Sequence, residues 1–201
     1  MQNAEIELKF PVLDVLDLQS RLPGLGFHLD TPRTFEHNTL YDTPARDLRV
    51  RKQILRLRQY GPLCTLTHKR QPDRDPIDTT RYKIRIETET IVAEGAAMAE
   101  IFLQLGYGPA FVYEKYRAEW SYQVGEALAH LVIDETPIGN YAELEGPTAW
   151  IDQTLADLNV DPATCLTDSY GKLFNDWKLR TGHPAENLTF AEITTPVLAI
   201  G

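Results

Sequence analysis

Polar and apolar side chains alternate over residues 3–10, the period of a half-buried strand, with Ile6, Leu8 and Phe10 on one side. Pro11 then opens a helical pattern through Val12, Val15, Leu16 and Leu22 that ends near Pro23 and Gly24. Residues 27–42 read as one or two extended segments, closed by a turn at Asp42, Thr43 and Pro44. Strand-like alternation returns at 54–60, 63–70, 81–90, 111–122, 130–135 and 140–145. Helices are predicted at 95–105, where Ala97, Met98, Ile101, Phe102 and Leu105 precede Gly106, and at 148–158 and 168–179. The last of these carries Tyr170, Leu173, Phe174 and Trp177 on one face. Strands joined this closely must be antiparallel, since parallel neighbours need a crossover. The fold class is therefore α+β, built around an antiparallel sheet or barrel. No repeat or linker divides the chain, so residues 1–180 read as one domain and 181–201, which lack a clear period, as a C-terminal tail or arm.

Side chains two apart on a strand share a face. Glu5, Glu7 and Lys9 therefore stand together, as do Arg56 with Arg58, Thr65 and Thr67 with Lys69, Lys115 with Arg117 and Glu119, and Glu143 with Glu145. Arg81, Lys83, Arg85, Glu87 and Glu89 form an unbroken charged face backed by Ile84 and Ile86, and Asp134 is flanked by Leu131 and Ile133. A sheet with one wet face gives the same alternation, but two details point further. A solvated face mixes Ser, Thr, Gln and Lys, whereas these faces concentrate Glu, Arg and Lys. Like charges at i and i+2 also repel unless a counter-ion sits between them. Paired carboxylates suit hard divalent cations, and paired Arg and Lys suit phosphate oxygens. The residues thus point to a cavity for metal plus polyphosphate, charged inside and covered outside by amphipathic helices.

Composition narrows the class without changing this picture. The chain of 201 residues can bury a core of its own, and its 43% apolar and 24% charged content is that of an ordinary globular protein. No apolar run is long enough to span a membrane, and the N-terminus lacks a signal peptide's pattern, so a cytoplasmic protein is expected. Cys64 and Cys165 stand alone, without metal-ligand spacing, and read as core thiols. A net charge of −9 argues against a nucleic-acid partner, which selects a basic surface. The basic residues nevertheless cluster at 46–58, 69–74, 81–85 and 115–117, as they would if an acidic protein focused positive charge into one cavity.

The ordered motifs resemble those of the CYTH family of triphosphate tunnel metalloenzymes over roughly residues 4–178. Glu5-x-Glu7-x-Lys9 resembles the family's ExExK strand, Leu55-Arg56-Leu57-Arg58 its LRxR strand and the segment Thr65 to Lys69 its lysine strand. Arg85-x-Glu87-x-Glu89, Lys115-x-Arg117, the hairpin Asp134 to Glu145 and the helix start Ser169-Tyr170 are similar to later family motifs. The stretch His37 to Pro44 resembles a strand-ending segment. This resemblance implies an eight-stranded antiparallel β-barrel, a tunnel with a charged interior and helices packed outside. It implies that Glu5, Glu7, Asp134, Glu143 and Glu145 hold Mg²⁺ or Mn²⁺, although Asp134 also reads as a turn or sheet residue. Lys9, Arg56, Arg58, Lys69, Arg85, Lys115 and Arg117 would grip a small-molecule triphosphate, with Lys9, Arg56 and Arg58 also catalytic. Glu87 and Glu89 add to the acidic lining or pair with cations, while Lys83 and Lys172 read equally well as surface. His68 faces away from Lys69, His37 could reach the tunnel mouth, and Trp120, Trp177 and the tyrosines read as core.

The implied activity is hydrolysis of inorganic triphosphate or thiamine triphosphate. Class IV adenylate cyclase activity is the alternative, disfavoured because nothing marks a purine pocket and the hairpin Asp134 to Glu145 carries no insertion to build one. A non-catalytic polyphosphate or nucleotide sensor would use the same tunnel. Neither membrane nor nucleic acid is expected as a partner, and the oligomeric state is left open.

Overall fold

The computed structural model describes residues 3–72 and 81–194. Each period-2 segment forms a strand: β1 (Asn3–Val12), β2 (His28–Asp42), β3 (Ile54–Tyr60), β4 (Leu63–Arg70), β5 (Lys83–Ile91), β6 (Gly108–Val124), β7 (Ala127–Thr136) and β8 (Gly139–Glu145). They close into one antiparallel barrel in the spatial order β1-β5-β4-β3-β2-β6-β7-β8. The α-helices are α1 (Val15–Arg21), α2 (Asp47–Val50), α3 (Gly95–Gln104), α4 (Thr148–Asp157), α5 (Tyr170–Thr181) and α6 (Phe190–Thr194). None of the described helices is long and apolar enough to cross a membrane.

Because the strands turn their charged parity inward, the apolar parity faces out and needs cover. From β1, β7 and β8 come Leu8, Phe10, Leu131, Ile133 and Leu144, all buried beneath Leu18 of α1, Leu22 just after it, and Trp150, Ile151 and Leu155 of α4. Each such side chain removed from water contributes roughly 1.5–3 kcal/mol. The main core therefore lies between barrel and helices. A second cluster packs Tyr113, Tyr170, Phe174, Ala185 and Leu188, with Leu40 and Phe111 against it. Ser169 caps α5 by accepting a hydrogen bond from the Lys172 amide, which starts the helix at Tyr170 and aims that ring at the strands.

Two expectations need correction. Pro11 does not begin a helix: β1 runs to Val12, with Pro11 opposite Tyr141 of β8. The amide and carbonyl of Lys9 bond Leu166, on the side of β1 away from β8, so by parity the missing N–H of Pro11 falls on that side beyond the last β5 partner. Arg81 does not join the charged face, because it precedes β5 and donates to Asp152 of α4. Residues 182–194 form an arm, in which Leu188 bonds Val112 and Glu114 along β6; residues 195–201 lie outside those described.

Gly146 sits where β8 hands over to α4. A Cβ there would stand 2.9 Å from the Ala129 Cβ and 3.0 Å from the Trp150 ring. Gly146→Ala is expected to lower stability by ~1–3 kcal/mol, measured as a lower midpoint in thermal unfolding by circular dichroism. An unchanged midpoint would mean that this junction has room to spare.

Candidate active site

The inward faces enclose a cavity of about 630 Å³. Among the described residues, seven cations line it, namely Lys9, Arg56, Arg58, Lys69, Lys83, Lys115 and Arg117, together with six carboxylates, Glu7, Glu87, Glu89, Glu119, Glu143 and Glu145. Strand register explains how they meet. Lys9 lies directly opposite Glu143, Lys83 opposite Glu7, Lys69 opposite Glu87 and Arg117 opposite Asp134. Cross-strand partners are the closest neighbours on a sheet face, so opposite charges are placed where they attract most.

The pairs form as the register dictates. Lys9 donates to Glu143 and Lys83 to Glu7. The Lys69 ammonium is 2.7 Å from Glu87, and Arg58 is 3.3 Å from Glu89. Thr67 donates to Glu89 at 2.7 Å and receives the Arg56 guanidinium at 3.3 Å. Burial by itself would raise the Glu143 carboxyl's pKa, but Lys9, Arg117 and Lys115 hold it well below the usual range. Arg117 is pushed the other way: burial disfavours its charge, yet Asp134 and Glu36 raise its pKa well above the ordinary value.

The densest group lies at Lys115 and Arg117. Asp134, fully buried, accepts from Lys115 at 2.9 Å, from both Nε and Nη2 of Arg117 at 2.7 Å, and from the Tyr170 hydroxyl at 2.6 Å. Its two oxygens are thereby occupied by four donor groups from three residues, and it does not line the cavity. The other side of the same cations is held by Glu36, also fully buried, 3.3 Å from Lys115 and 3.8 Å from Arg117. Burial pushes the Glu36 pKa up, but Lys115, Arg117, Arg58 and Arg56 outweigh it and bring it to about 2. The Tyr170 ring rests against Lys9 and Lys115, with ammonium-to-centroid distances of 4.1 and 4.9 Å. Burial and the neighbouring Asp134 raise the Tyr170 phenol's pKa far above the ordinary value, so it stays a donor.

Of the residues singled out in the sequence, Glu7, Lys9, Arg56, Arg58, Lys69, Glu87, Glu89, Lys115, Arg117, Glu143 and Glu145 are brought together here. Glu5 is placed by its backbone opposite Arg85, and its side chain lies outside what is described. Arg85 donates to the Ile84 carbonyl and is not among the cavity-lining residues. Lys172 is exposed on α5 and pairs with Asp176. His37 and His68 occupy the outward parity of β2 and β4, so His37 does not reach the cavity. Sequence reasoning missed Glu36, His130, Tyr113 and Tyr170. Parity could have found His130, four residues before Asp134 on the same face of β7, and Tyr113, two before Lys115.

Glu7 and Glu145 face one another across the β1–β8 pair, with Glu143 two residues along and His130 opposite Glu145. These hard oxygen donors fit a divalent cation. Among the described residues, no three carboxylate, imidazole or thiol groups are already gathered at metal-binding distance. Glu7 is engaged by Lys83, and Glu143 by Lys9 and Arg117, so a cation would be taken by exchange of partners.

A family model described as the CYTH domain matches residues 3–158. Among solved structures, a Vibrio parahaemolyticus protein provisionally named an adenylate cyclase superposes with a TM-score of 0.69 at 21% identity, covering 85% of this chain and 97% of its own. A Pyrococcus horikoshii protein gives 0.66 at 21% identity, over 86% and 99%. A Hippeastrum protein, provisionally named an adenylyl cyclase and described as having a dominant triphosphatase activity, gives 0.56 at 19% identity, over 90% and 96%. At these identities the likeness is one of fold. No curated protein matches the chain.

The Glu36 pKa of about 2 lies below the ordinary 4.5. Its pairing therefore adds stability that is complete above pH 4.5 and is lost as the pH falls toward 2. Between those limits the wild type is expected to lose on the order of 3 kcal/mol more than Glu36→Gln, as measured by urea unfolding across the acid range. An equally steep acid limb in the variant would count against this carboxylate as the source.

Proposed function

Given that the chain belongs to the CYTH domain family, we propose that it is a divalent-metal-dependent hydrolase of a triphosphate compound, inorganic triphosphate or thiamine triphosphate. The observation that carries this reading is the charge balance of the cavity. Among the described residues, its seven cations face six lining carboxylates, and Glu36 and Asp134 lie buried behind them. A cavity with so many cations and no excess of positive charge suits a polyanion that arrives with its own metal.

In this reading Glu7, Glu143 and Glu145 hold Mg²⁺ or Mn²⁺, with Glu5 as a further candidate by strand parity. The metal, when bound, supplies Lewis-acid polarisation of a phosphoryl oxygen and a water of lowered pKa. Asp134 is assigned to holding Lys115 and Arg117 rather than to the metal. Lys9, Arg56, Arg58, Lys69, Lys115 and Arg117 take the phosphate oxygens, fix the chain of phosphoryl groups and neutralise charge as a bridging P–O bond breaks and water adds to phosphorus. The buried rings of Tyr113 and Tyr170 form an aromatic part of the cavity wall.

Cyclisation of ATP is the competing reading, and Tyr113 and Tyr170 are the aromatic rings in the wall that a purine would use. Both faces of that opportunity are taken: the two rings stack on each other at 5.9 Å, and Tyr170 also holds Lys9 and Lys115. The Hippeastrum neighbour's dominant triphosphatase activity is in keeping with hydrolysis.

Incubation with Mg²⁺ or Mn²⁺ and each of tripolyphosphate, thiamine triphosphate and ATP is expected to release phosphate from one of the first two. Cyclic AMP with pyrophosphate would overturn hydrolysis, and tight binding without turnover would make the protein a sensor. Glu7→Gln and Glu143→Gln are each expected to lower turnover by more than ~100-fold with the circular dichroism spectrum unchanged; wild-type rates in both would remove the metal assignment.

A further inference from the structure

Glu36 is the residue whose position the proposed reaction does not use. It lies on the inward parity of β2, between β3 with Arg56 and Arg58 and β6 with Lys115 and Arg117. Its side chain is completely buried, and Oε1 accepts a hydrogen bond from Asn38 Nδ2 at 2.8 Å. Oε2 has no hydrogen-bond partner, and neither does the buried Asn38 Oδ1 or Arg56 Nε beside it. The open lone pair on a carboxylate desolvated this far offsets part of the stability that its ion pairs supply. Asp134 already holds both Lys115 and Arg117 from the other flank, so Glu36 is not needed to keep them in place. What it adds is negative charge, one side chain away from any phosphate those cations bind.

We propose that Glu36 is a built-in competitor for the phosphate-binding cations, a positioning residue that prevents the site from retaining the shorter phosphates that hydrolysis leaves. The argument is electrostatic. A fixed anion behind the cations weakens every phosphate ligand. A triphosphate with its metal makes enough further contacts, to Lys9, Lys69 and the carboxylates of β1 and β8, to bind regardless. Pyrophosphate or phosphate makes fewer, and is the species driven out. A unit charge acting over a few ångströms at a protein-like dielectric is worth more than ~10-fold in affinity.

The inference rests on the triphosphatase reading, and the two fail differently. Calorimetric titration of pyrophosphate with Mg²⁺ into wild type and Glu36→Gln reads binding of the shorter phosphate, and tripolyphosphate with Mg²⁺ is followed in the same cell by the heat of its hydrolysis. The isosteric variant is expected to bind pyrophosphate at least ~10-fold tighter, to suffer stronger product inhibition, and to show kcat and KM falling together. Glu36→Asp, which keeps the charge, should behave like the wild type. Glu36→Met, an uncharged side chain of similar length, should tighten pyrophosphate by a similar factor and carries the test if Glu36→Gln does not fold. Unchanged or weaker pyrophosphate binding in Glu36→Gln, or in Glu36→Met where the glutamine variant does not fold, overturns the role of Glu36. A wild type that binds neither phosphate overturns the triphosphatase reading itself.

Discussion

A closed barrel must balance its own interior charge. Water reaches the inner side chains only through the cavity, and a Lys115 that is 2% exposed or a Glu36 that is 0% exposed can stay ionised only against an opposite charge within a few ångströms. The ladder supplies those partners because the strands turn most of their charged side chains to the same side. A slip of one residue in any pairing would swing Leu8 or Leu144 into the cavity and Lys9 or Glu143 into the helix-covered core. Register and ion pairing therefore specify each other. Buried pairs of this kind rarely stabilise a fold better than well-packed apolar residues would, so a lining made mostly of charged residues is explained by what it binds.

That constraint moves the hydrophobic core outward. A small barrel ordinarily fills its interior with apolar side chains; here the apolar parity of β1, β7 and β8 lies outside, under α1 and α4. Stability is concentrated on the outer shell, which frees the inner surface for charged groups. Helix α5 belongs to both regions. Phe174 and Trp177 stack as part of the aromatic cluster, while Tyr170, one turn earlier, reaches Asp134, Lys9 and Lys115. The helix that covers the barrel end also fixes two of the cavity's lysines.

Strands with strict alternation were fully legible in the sequence, because period 2 states both the element and its inward face. That holds for Ile54 to Tyr60, for Leu63 to Arg70 and for the stretch around Glu143 and Glu145. The charged lining followed from parity alone. Glu36 was not legible, since β2 mixes polar and apolar residues on both faces: Phe35, His37, Thr39 and Tyr41 outward, Glu36, Asn38 and Leu40 inward. The occupation of Asp134 was beyond sequence reading for another reason. Its donors come from β6 and α5, and the Tyr170 hydroxyl is contributed from 36 residues away. Pro11 misled because its helix-opening preference is weaker than pairing with β8 on a side where no N–H is required. Tyr113 and Tyr170 were read as core, and they are core; that the same rings also face the cavity follows from where α5 ends the barrel.

On the triphosphatase reading, binding becomes an exchange of partners rather than the filling of an empty positive pocket. Phosphate oxygens arriving at Lys9, Lys83 or Arg117 displace Glu143 or Glu7. A carboxylate released in this way inside a low-dielectric cavity is unfavourable until a cation joins it. A metal arriving alone faces the mirror problem, since it strips Lys9 or Lys83 of a partner. Each ligand therefore relieves the cost that the other imposes, and by linkage each must raise the affinity of the other by the same factor. Mutual neutralisation in the unliganded barrel thus makes metal and polyphosphate obligate companions, and it explains how a protein with a net charge of −9 can accept a polyanion at its centre.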